Sequence, residues 1–70
     1  MPAAMTGSRD ELREFTAENL SLMLVHIEHA VDYAHLGSDE ALGYALRAAS
    51  AHFGAAVATF GDLTREDAHG

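Results

Sequence analysis

Apolar residues recur at three- and four-residue spacing along two stretches of this chain. The first runs through Leu12, Phe15, Leu20, Met23, Ile27, Ala30 or Val31, and Ala34; the second through Leu42, Ala45, Leu46, Ala49, Phe53, Ala56 and Phe60. That spacing is helical. Nothing alternates with period two between turn signals, so no strand is expected. The pattern predicts an all-α fold: an antiparallel two-helix hairpin with helices at about 9–36 and 39–60.

The signals that begin and end these helices lie outside the apolar pattern. Ser8 is followed three residues later by Glu11, with Asp10 also in the first turn. This is a capping box, in which the hydroxyl accepts from a free backbone N–H and the carboxylate reaches back. Acids there also suit the positive end of the helix dipole. From Arg9 to Leu36 no Gly or Pro intervenes. That makes a helix of about 28 residues, or ~42 Å, long enough to suggest a bundle. Gly37 is placed to end it in the left-handed conformation, and Ser38 to cap the next helix, with Asp39 and Glu40 in its first turn. So short a connection makes the helices antiparallel neighbours. Residues 1–7 read as a flexible lead-in, 8–61 as the hairpin, and 62–70 as a frayed tail beyond Gly61.

One segment does not fit a two-helix protein. Leu20-Ser21-Leu22-Met23-Leu24-Val25-His26-Ile27 carries apolar side chains in nearly every direction around the helix axis. A helix apolar all round has to be covered all round. When the chain is folded about Gly37 and Ser38, Phe15 comes level with Phe60, Met23 with Phe53, and Ile27 with Ala48 and Ala49. These residues are expected to form the hairpin's own core. Left over on helix 1 are Leu22, Leu24, Val25, Val31 and Tyr33, with Leu20 at the edge of the stripe. Left over on helix 2 are Tyr44, Ala48, Ala51, Ala55 and Val57. A monomer would leave them as a large exposed apolar patch. Two hairpins packed face to face, a four-helix bundle, would cover most of it, and two-fold symmetry is the commonest closed arrangement.

Eight of the residues from 41 to 58 are Ala. Helix propensity accounts for part of this. A smooth surface for close helix contact accounts for the rest, and Gly54 is expected to belong to it, because Gly inside a helix costs ~1 kcal/mol against Ala. The expected association surface is therefore Leu20, Leu22, Leu24, Val25, Val31 and Tyr33 on helix 1. On helix 2 it is Tyr44, Ala48, Ala51, Gly54 and Ala55.

Composition narrows the functions. The chain has 70 residues, 11 Asp+Glu against 4 Arg and no Lys, and a net charge of −7. An acidic surface does not displace counterions from nucleic acid, and anionic membranes repel it. It keeps a sticky helical protein soluble. A chain this short usually needs a disulfide, a metal, a partner or very regular helix packing. There is no cysteine, which removes disulfides and thiolate chemistry and suits a cytoplasmic setting. No signal peptide or membrane span is expected; the window from Leu20 to Leu36 carries His26, Glu28, His29, Asp32 and His35.

Five histidines raise the possibility of a metal. His26 and His29 share a helix face, and His52 lies about one turn away in the folded hairpin. Two imidazoles three apart can bind one ion. Glu66 and His69, in the tail, have the Glu-x-x-His spacing of a di-iron bundle, but neither expected helix carries it, and such a bundle needs it on facing helices. The metalloprotease spacing is absent too, since His26-Ile27-Glu28-His29 places its residues wrongly. The preferred reading is that these histidines are interfacial polar groups, with no cofactor. No phosphate loop or strained nucleophile elbow is present. The sequence is thus expected to encode a non-enzymatic interaction protein that self-associates or docks as an accessory subunit on a larger protein. The alternative is a metal- or cofactor-binding bundle using His26 and His29.

Overall fold

The computed structural model describes residues 2–69, and the side chains of residues 9–65. It is a hairpin of two long helices, α1 (Pro2–Leu36) and α2 (Asp39–His69). The pair measures 52 × 18 × 12 Å, one helix length long and two helices wide. The helices pack against each other along their length.

The turn is built as its residues require. Gly37 has φ +75°, the left-handed region that a Cβ disfavours. Its N–H donates to Ala34 O at 3.2 Å, and Ser38 N–H donates to Tyr33 O at 3.0 Å. These two bonds form a Schellman motif and satisfy carbonyls that α1 would otherwise leave open. Leu42 N–H then donates to Ser38 O at 2.8 Å, the first bond of α2. Asp39 and Glu40 occupy its first turn, facing the positive end of the dipole.

Both helices run further than their sequence signals suggest. α1 passes through Gly7 and Ser8 to start at Pro2, so Ser8 does not cap it. Pro suits a first helical position, because the N–H it lacks would have no partner there. The side chains of residues 1–8 lie outside the described residues, as do those of 66–70. α2 continues through Gly61 to His69. A helical Gly costs only ~1 kcal/mol, and Leu63, two residues on, is buried against α1. Leu63 continues the stripe of Ala45, Ala49, Ala56 and Thr59 in steps of three, four or seven residues, and that burial offsets the cost of the glycine.

The seam between the helices differs from the expected core. Its buried residues are Ala30, Ala45, Ala49, Ala56 and Leu63, with the polar Asn19 and Thr59. Phe15, Leu20, Ile27, Leu46, Phe53 and Phe60, expected in the core, are all more than a third exposed. Among the described residues no large side chain is fully buried. Alanines let the two backbones approach closely, and the contact between two cylinders is narrow. The apolar stripes are wider than that line, so their bulky members are displaced onto the flanks. The level of the residues is as expected: Met23 and Ile27 line one groove with Ala49 and Phe53.

Gly54 does not serve the seam. It is exposed, and a Cβ built on it meets nothing within 4 Å. Gly54→Ala is therefore expected to raise stability by about 0.5–1 kcal/mol through helix propensity. Thermal or urea unfolding checks this, and a loss of stability would place Gly54 against another chain.

Candidate interaction surface

The hairpin has two broad faces, one on each side of the seam. On the first, Leu20 and Thr16 of α1 border Phe53, Ala56, Val57 and Phe60 of α2 in a shallow apolar groove. The groove continues toward the turn between Met23 and Ile27 on one side and Leu46, Ser50 and Phe53 on the other. Toward the far end it is bordered by Arg13, Ala17 and Leu63. Leu24 and Val31 lie beside Leu20 and Ile27 at helical spacing, and both are exposed. This face is one continuous apolar surface. It contains most of the bulky residues that the narrow seam excludes.

The second face carries the histidines. Asn19 is buried, and its Nδ2 donates to Phe15 O at 3.0 Å. That orientation leaves Asn19 Oδ1 as an acceptor, and His52 Nδ1–H donates to it at 2.9 Å. This bond joins the two helices across the seam. His26 then stacks on His52, with ring centroids 5.3 Å apart and planes 12° from parallel. His29 meets His26 edge-on at 6.3 Å, and Tyr33 lies tilted against His29 at 6.4 Å. The result is a ladder of rings along one edge of the seam.

The ladder bears on the metal candidates His26, His29 and His52. Ring nitrogens donate their lone pairs in the ring plane, so two stacked rings aim them side by side and not at a common point. His52 has also committed Nδ1 to Asn19. Among the described residues no group of three or more His, Cys, Asp or Glu is placed to hold an ion. What the arrangement does chemically is satisfy polar groups inside a contact between helices. Asn19→Ala would leave His52 Nδ1–H without its acceptor in a half-buried site. It is expected to cost about 1–3 kcal/mol in chemical unfolding, more than an exposed polar truncation.

The expected surface residues divide between the faces. Leu20, Leu24 and Val31 belong to the first. Leu22 and Val25 are exposed on the side of α1 that bears the histidines, and Tyr33 is partly covered there. Tyr44 and Ala51 are exposed, and Ala48 and Ala55 are partly covered, on the corresponding side of α2. The apolar spacing places Ile27, Leu46, Phe53 and Phe60 in the hairpin interior, whereas the structure exposes them on the first face. Their seven-residue spacing, 20 to 27 and 46 to 53 to 60, was the available signal, since a strict heptad line marks a seam between helices.

The remaining surface is acidic and unremarkable in its pairings. Glu14 and Glu18 border a polar groove with Ala17 and Ser21 on the outer side of α1. Arg13 pairs with Asp10 at 3.3 Å, and Arg65 with Asp62, both exposed and one helical turn apart. Such pairs contribute little to stability. No helix among the described residues is long and apolar enough to cross a membrane. Comparison of the chain with protein-family models, with curated proteins and with solved structures finds no match.

Proposed function

We propose that this chain is a non-enzymatic interaction protein whose helical hairpin is completed by association with another protein surface. One observation carries the reading. Thirteen large apolar side chains among the described residues are more than a third exposed, and none is fully buried. Each would contribute on the order of 1 kcal/mol if its remaining exposed surface were covered. A stand-alone domain holds such residues inside; a hairpin that displays them has its core at an interface. The absence of cysteine and the acidic surface suit a soluble partner protein in a reducing compartment such as the cytoplasm. Catalysis would need a pocket with convergent polar groups. The grooves on the first face are open and lined almost wholly by apolar side chains.

Thermal unfolding of the purified chain, followed by circular dichroism over a range of concentrations, tests the reading. Association links stability to concentration, so the melting midpoint should rise as the protein is concentrated. If the covering surface belongs to another protein, the isolated chain should be only marginally helical and melt broadly. A sharp, concentration-independent melt of a fully helical monomer would contradict association of either kind.

A further inference from the structure

We propose that the surface covering the first face is the same face of a second copy, turned end for end, so that the two turns lie at opposite ends of a four-helix bundle. This rests on the association reading above and names its partner and its orientation.

The area fits a second copy. The chain exposes 5108 Å². A compact monomer of this mass would expose about 4,200 Å². The excess is close to the ~800 Å² that each partner buries in a standard interface.

The order of residues along the face selects the orientation. Arg13, Leu20, Ile27 and Ala34 follow one another at seven-residue steps on α1, and Asp39, Leu46, Phe53 and Phe60 do so on α2. Residues seven apart lie almost on one line along a helix. Arg13 stands at the end of the face away from the turn, bordering Phe60 and Leu63. Asp39 stands beside the turn, at the start of α2. End-for-end association about a two-fold axis lays Leu20 of one copy over Ile27 of the other, and Phe53 over Leu46. It brings Arg13 of each copy to the end that holds Asp39 of the other. Association with both turns at the same end would gather the two Arg13 at one end of the bundle and the two Asp39 at the other.

Side-chain size points the same way. The face carries the aromatic Phe53 and Phe60 toward its far end and only the aliphatic Ile27, Val31, Ala34 and Leu46 toward the turn, so it is thicker at the far end. Reversing one copy sets thick against thin and keeps the helices evenly spaced, as close packing requires. Without the reversal, two thick ends would meet and the turn ends would splay apart.

The chain has no cysteine, so a single introduced thiol gives a unique spin-label site. Leu36 is 76% exposed at the end of α1, and Leu36→Cys places the label beside the turn. Pulsed electron–electron resonance should then report about 40 Å between labels, from ~1.5 Å per residue on either side of the bundle centre. Turns at the same end would give a distance under about 25 Å, set by helix-to-helix spacing of 8–10 Å. That result overturns the orientation and leaves association standing. Ala51→Cys, exposed near the middle of α2, is the companion site, because its label pair stays close in either orientation. No dipolar coupling at either site, with the chain monomeric and weakly helical, would overturn the second copy as partner while leaving a different protein partner in place.

Discussion

Phe53→Glu is expected to abolish association, raising the dissociation constant more than about 100-fold, which corresponds to roughly 3 kcal/mol. Phe53 is 52% exposed in the hairpin and stands where the grooves of the first face join. In a free hairpin a carboxylate there would remain largely hydrated and cost little. Between two helical pairs it would be an unpaired charge in an apolar contact, which costs several kcal/mol. The size of the loss therefore separates an interface from an ordinary exposed phenylalanine. Helix content should fall with association, because the hairpin seam alone is only alanine-wide. Equal melting and equal mass for Phe53→Glu and the parent chain would place the interface elsewhere.

Ala45→Leu is expected to destabilise the hairpin itself by about 1–3 kcal/mol. Ala45 is 1% exposed, the most covered of the buried residues in the seam. Three additional carbons there have no space unless the helices separate, and separation would loosen Ala49 and Ala56 on the same stripe. The matched control is Ala51→Leu, on the exposed side of α2, which should change stability by no more than ~0.5 kcal/mol. Urea unfolding of the two variants measures the difference. Equal effects would mean that the alanines of α2 reflect helix propensity alone.

The sequence made the hairpin legible because its local signals agree with one another. Leu36-Gly37-Ser38-Asp39 combines a left-handed stop, a cap and an acidic first turn, and the chain reverses there. Apolar spacing fixed the level at which the helices meet, so Met23 and Ile27 do share a groove with Phe53 and Ala49. Rotation about each helix axis was less legible. α1 is apolar in nearly every direction, so no single stripe announces which side faces α2. Bulk marks a core in the apolar pattern, whereas close approach of two helices favours alanine and leaves Phe53 and Phe60 outside.

The histidine edge was legible only as proximity. His26, His29 and His52 do come together, but the sequence could not show that two rings stack or that Asn19 takes the Nδ1–H of His52. The burial of Asn19 depends on a partner 33 residues away. The extension of α2 past Gly61 is hidden in the sequence for a different reason. A glycine reads as a stop unless the residues beyond it have something to bury, and Leu63 does.

Sedimentation equilibrium of the untagged chain at micromolar concentration tests the central claim most directly. The claim is that the exposed apolar face of this hairpin is covered by a second copy. The expected mass is about 15 kDa, twice the 7.5 kDa of one chain, with dissociation and loss of helix on dilution. A single, fully helical species at the mass of one chain, unchanged across the concentration range, would contradict it.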